Sequence, residues 1–132
     1  MVYFNGGPLV SGGMRMRKIA LNFILHWVRL NAAKFTSLTI INFKLSKKYL
    51  VALFEALAKN KHIKYVCLNQ VMHRWENDST EDTFQAFQVV FISLALAVKQ
   101  NRTIISLDLS ANMIRGEGVV QLADALVHNH IL

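Results

Sequence analysis

At 132 residues, 53% of them hydrophobic and 17% charged, the chain is the size of one domain and too apolar to be a disordered tail. Its longest apolar stretch, residues 19–28, is interrupted by Asn22 and His26 and falls short of the roughly 20 residues that a membrane-spanning helix needs. The net charge of +7 is uneven: residues 1–64 hold eleven Lys/Arg against Glu55 alone, whereas residues 65–132 hold four against seven Asp/Glu. A single cysteine, Cys67, cannot form an internal disulfide, which agrees with a reducing, cytoplasmic setting.

Residues 1–18 carry Gly6, Gly7, Pro8, Gly12 and Gly13, which interrupt any regular element, so this segment is expected to be flexible and to lie outside the packed array. From Met14 the run MRMRKIALNFILHWVRLNAA has the outline of a signal peptide, but thirteen residues precede it and Arg29 stands where a cleavage region is uncharged. The lack of acidic residues before Glu55 also permits a mitochondrial presequence. A better account of the apolar spacing is an amphipathic helix over 19–31, with Leu21, Ile24, Trp27 and Val28 on one face and Asn31 at its end.

A recurring unit follows. From Phe35 it reads Phe35, Leu38, Ile40, Phe43 and Leu45 with strand-like alternation, then Leu50, Leu53, Ala56, Leu57 and Asn60 with helical spacing. From Ile63 it reads Ile63, Val66, Leu68 and Val71, then, after thirteen extra residues, Phe91, Leu94, Ala97, Val98 and Asn101. From Ile104 it reads Ile104, Leu107, Leu109, Asn112 and Ile114, then Val119, Leu122, Ala125, Leu126 and Asn129. The expected organisation is therefore a capping helix 19–31 and units 35–62, 63–103 and 104–131, with Leu132 at the first strand position of a fourth unit and the array expected to continue beyond it.

The pattern LxxLxLxxN followed by an amphipathic helix, as in KQNRTIISLDLSANMIRGEGVVQLADAL, resembles the leucine-rich repeats of ribonuclease inhibitor and of the sensor regions of immune receptors. That resemblance spans about residues 19–132 and is most specific in the last unit. It implies an α/β solenoid, a short horseshoe with parallel strands on the concave face and helices on the convex face. Phe43 and Val71 depart from it by standing in the slot that Asn112 fills. Asn112 is expected to turn inward onto the loop leaving its strand, Gly116 and Gly118 to relax the loop entering the last helix, and Asn60, Asn101 and Asn129 to take the left-handed conformation of a helix C-cap.

The resemblance also implies a binding role for the residues between the inward strand positions. They form columns of Ser37, Tyr65 and Ser106, of Thr39, Cys67 and Asp108, and of Ile41, Asn69 and Ser110. The partner-binding candidates on this face are Tyr65, Cys67, Asn69, Asp108 and Ser110. A nearly neutral face with Asp108 as its one acid does not suit inhibition of a basic ribonuclease. Trp75, Phe84 and Phe87, in and after the acidic insertion MHRWENDSTEDT, form a second candidate contact, with a helix expected to start at Ser79 or Thr80.

No catalytic, cofactor or metal motif is evident. The five histidines lack a ligand set, Cys67 lies on a strand, and the glycines have no phosphate-loop context. Asn77-Asp78-Ser79 and Asn101-Arg102-Thr103 match the glycosylation pattern, which matters only for a secreted chain. The sequence thus points to a non-catalytic protein-interaction module and scaffold that meets a protein partner, with end-to-end self-association as a further expectation. The alternative is a nucleic-acid- or anionic-membrane-associated protein that uses the basic half, although no aromatic-interleaved basic stripe supports it.

Overall fold

The computed structural model describes residues 2–5, 13–72, 80–114 and 116–132. Strands and helices alternate in the order β1 (Val2–Asn5), α1 (Gly13–Leu30), β2 (Ser37–Ile41), α2 (Lys47–Lys59), β3 (Tyr65–Asn69), α3 (Thr80–Gln100), β4 (Ser106–Asp108) and α4 (Glu117–Val127). The four strands form one parallel sheet whose spatial order, β1-β2-β3-β4, is the sequence order. Parallel neighbours need a crossover, and α1, α2 and α3 supply the three that join these strands. Each helix packs on the next, α1 on α2, α2 on α3 and α3 on α4.

Two expectations about the N-terminal segment are corrected. Within the segment 1–18, Val2–Asn5 does not stand outside the array, since it pairs with β2 in the register Val2↔Leu38 and Phe4↔Ile40. The first helix also begins at Gly13, six residues ahead of the expected start at Ile19. Period-two alternation in Val-Tyr-Phe-Asn carried this signal, but at a separation of 36 residues from β2 it lay off the 28-residue spacing of the clear units.

The core sits between sheet and helices. Leu38 and Ile40 of β2 and Val66 and Leu68 of β3 are buried against Leu50, Leu53, Leu57, Leu94 and Val98. Leu107 and Leu109, in the same slots of the last unit, are only half-buried. Helix α2 starts at a serine cap, with the Tyr49 amide donating to Ser46 Oγ at 3.1 Å. Tyr49 Oη in turn donates to the Leu21 carbonyl at 2.6 Å and ties α1 to α2. Burial holds the Tyr49 phenol well above its ordinary pKa, so it remains a donor.

Asparagines join successive units, by a different mechanism from the one expected. Asn60 ends α2 with φ −70° and ψ 137°, which is extended backbone, and neither Asn101 nor Asn129 has a positive φ. Only Asn31 adopts the left-handed cap, at φ 55°. The side chains bridge instead. Asn101 donates to the Leu57 and Asn60 carbonyls at 2.7 and 3.0 Å, while its Oδ1 accepts from the Thr103 and Ile104 amides at 2.8 and 2.7 Å. Asn129 repeats this against Val98 and Asn101, and Asn60 against Val28. A buried amide that meets four backbone groups leaves none of them unsatisfied at the seam.

Asn112 does turn inward, donating to the Leu109 carbonyl of its own unit at 2.9 Å and to that of Leu68. Its Oδ1 accepts from the Val71 and Met72 amides of the preceding unit at 2.8 and 2.9 Å. The loop that lacks its own asparagine at Val71 is therefore held by the next unit's. One unit earlier, the loop at Phe43 uses backbone partners: the Leu45 amide donates to the Val71 carbonyl at 3.0 Å.

A second repeated device is conformational. Asn42, Gln70 and Ala111 follow equivalent strand positions and all have φ between 54° and 59°. Gly116 is left-handed at φ 57°, as its position suggested. Gly118 is not. Its requirement is space, because a Cβ there would lie 2.6 Å from Cδ2 of the Phe91 ring.

Candidate functional site

Period-two alternation turns one residue of each strand pair into the core and the next to the opposite face of the sheet. Pairing then sets those outward residues side by side: Ser37 opposite Tyr65 opposite Ser106, and Thr39 opposite Cys67 opposite Asp108. Tyr65, Ser106, Asp108 and Ser110 are exposed, whereas Thr39, Cys67 and Asn69 are half-buried. The register adds a strand that the sequence did not reveal, with Tyr3 opposite Thr39 and Asn5 opposite Ile41.

The C-terminal end of this face is organised by hydrogen bonds. Asn69 Nδ2 donates to Ser110 Oγ at 2.7 Å, and Ser110 donates to Asp108 Oδ1 through its hydroxyl at 2.6 Å and its amide at 2.9 Å. Those two bonds, with a third from the Cys67 thiol at 3.6 Å, hold the Asp108 carboxyl below its usual pKa. Burial, followed by the neighbouring Asp108 charge, pushes the Cys67 thiol up. Cys67 is thus a hydrogen-bond donor on this surface, not an activated nucleophile.

The structure brings together five of the candidate residues, Tyr65, Cys67, Asn69, Asp108 and Ser110, on two adjacent strands and the loop after β4. The aromatic candidates are placed differently. Trp75 lies outside the described residues, and Phe84 falls within α3. Phe87 is half-buried against the core and stacks on Phe91 with ring centroids 5.7 Å apart, so its ring is already engaged internally. The glycosylation pattern at Asn101 falls on a buried, fully bonded side chain.

Among the described residues the loop lysines fall in two groups. Lys59, Lys61 and Lys64 precede β3 at one end of the sheet, while Lys44, Lys47 and Lys48 follow β2 at the other. Arg102 folds onto the Lys99 and Asn101 carbonyls. Among the described residues no three His, Cys, Asp or Glu side chains gather as a metal site, and no helix is long and apolar enough to cross a membrane.

Compared with known proteins, the chain matches no family model and no curated relative.

Proposed function

We propose that the chain is a leucine-rich-repeat interaction module of the ribonuclease-inhibitor type, a short solenoid whose concave face binds a protein partner. What supports the repeat reading is the recurrence, at separations of 28 or 41 residues, of the left-handed turn at Asn42, Gln70 and Ala111 and of the bridging Asn60, Asn101 and Asn129. The observation that carries the binding role is the helix-free sheet face. It presents an exposed Tyr65 beside the linked polar set Asn69, Ser110, Asp108 and Cys67. An aromatic anchor flanked by fixed donors and acceptors suits a folded protein surface, since such anchors dominate interface energies. A small, nearly neutral face offers little to a phosphate backbone, and the lysines split between opposite ends of the sheet offer no continuous track.

A photo-cross-linking residue in place of Tyr65, compared in cells with one in place of Glu55 on α2, tests this reading. Position 65 should yield a discrete protein adduct that Asp108→Arg abolishes, and position 55 should not. Equal adducts from both positions, or adducts at 65 indifferent to Asp108→Arg, would overturn it.

A further inference from the structure

Both flanks of the stack carry apolar residues in slots that are covered elsewhere. Helix slots correspond through the asparagines at their ends, so Leu50, Phe91 and Val119 are equivalent, as are Leu57, Val98 and Leu126. In α2 and α3 these side chains are buried, Phe91 against Gly118 of the following helix. In α4 they are not: Val119 is 51% exposed and Leu126 42%. On the other side, α2 turns Ala52, Glu55, Ala56 and Lys59 toward α1, and α4 turns Val120, Gln121, Asp124 and Ala125 toward α3. The corresponding residues of α1 are Asn22, Phe23, His26, Trp27 and Leu30, of which Phe23 is 54% exposed and Leu30 58%, while Trp27 stacks on Phe35 with ring centroids 5.5 Å apart. The side of α1 that faces no helix thus holds the bulkiest apolar residues in those slots.

We propose that a second copy of this chain covers them, head to tail, with the α4–β4 flank of one copy receiving the α1–β1 flank of the next. This deepens the interaction-module reading and rests on its account of equivalent slots. Three observations favour a copy of this chain over another occupant. First, the two flanks are complementary in slot as well as in apolarity: α4 offers the residues that pack on a following helix, and α1 offers those that pack on a preceding one. Second, the helices are complementary in charge. The first turns of α1 carry Arg15, Arg17 and Lys18 with no acid anywhere in the helix, whereas α4 opens on Glu117 and holds no Lys or Arg; Arg29 and Asp124 line the grooves toward α2 and α3 and take no part. Third, β1 and β4 are the outer strands of one all-parallel sheet, so head-to-tail contact continues the parallel pairing and presents no antiparallel mismatch. Such a heterologous contact does not close on itself at two copies, and growth follows concentration.

Light scattering on the full chain, with Phe23→Arg and Leu126→Arg, tests this. Both side chains are exposed in the single chain, and an unchanged thermal melt of each variant at low concentration verifies that it folds. The wild-type mass should rise with concentration past twice that of one chain, while each variant alone should stay at one chain's mass. An equal mixture should double in mass and stop, because the only intact pair of flanks joins Leu126 of the Phe23→Arg chain to Phe23 of the Leu126→Arg chain. A wild-type chain that stays monomeric at every concentration, a dimer that stops at two copies, or a variant mixture that stays monomeric would overturn the proposal. The cross-linking from position 65 reads a different surface, so either reading can fail while the other stands.

Discussion

Asn101 shows how much one side chain carries at a seam between units. It meets two carbonyls at the end of α2, those of Leu57 and Asn60, and two amides, those of Thr103 and Ile104, in the segment before β4. Asn101→Leu should therefore cost about 2–5 kcal/mol in denaturant melts, whereas Asn31→Ala, which loses one exposed bond to the Lys61 amide and sets alanine at φ 55°, should cost about 1–2 kcal/mol. On the outward face the sign of a charge effect can be worked through. Folding depresses the Asp108 pKa, so its stabilising contribution is complete above the ordinary carboxylate range and fades as pH falls through the lowered value. The thiol of Cys67 is shifted upward, in part by that charge, and should alkylate more slowly than a free cysteine at mildly alkaline pH. Asp108→Asn should accelerate the alkylation, and an unchanged rate would show that the two groups are not coupled in solution.

Among the elements, α4 is limited at its start by two glycines with different demands. Gly116→Ala puts a side chain in open space but at φ 57° and ψ −127°, a pairing that only glycine adopts readily, and should cost about 1–3 kcal/mol. Gly118→Ala drives a methyl into the buried Phe91 ring, and should cost about 1–3 kcal/mol despite the better helix propensity of alanine. The two costs are separable, since Phe91→Leu should relieve the second and leave the first. The strand alternation Leu107-Asp108-Leu109 and the helical spacing Leu50-Leu53-Leu57 were legible in the sequence because burial on one side leaves a periodic trace. The bridging role of Asn60, Asn101 and Asn129 was not, because a residue at a helix end reads locally as a cap and its partners lie 28 to 44 residues away. For Asn112 the inward turn was legible, but its hold on Val71 and Met72 depends on how units stack.

For the whole molecule, cost should follow position in the stack. Leu68→Ala, in a slot covered on both sides, should lose about 2–5 kcal/mol. Leu109→Ala, half-buried in the last unit, should lose about 1–2 kcal/mol. Deleting residues 1–18, which a reading of Gly6, Gly7 and Pro8 as mere interruptions makes harmless, removes β1 and the first turns of α1. The melting temperature should fall by about 5 °C or more, and an unchanged value would place Val2–Asn5 outside the sheet.

Asparagine side chains join like units in series, and amide hydrogen exchange reads those joints. The amides of Ile63, Val71, Met72, Thr103 and Ile104 lie outside every helix and strand, and each donates to an asparagine Oδ1. They should exchange as slowly as the amides of β3, and Asn101→Leu should release Thr103 and Ile104 first. Exchange of these five amides at the rate of open loops in the wild-type chain would contradict the stacked arrangement.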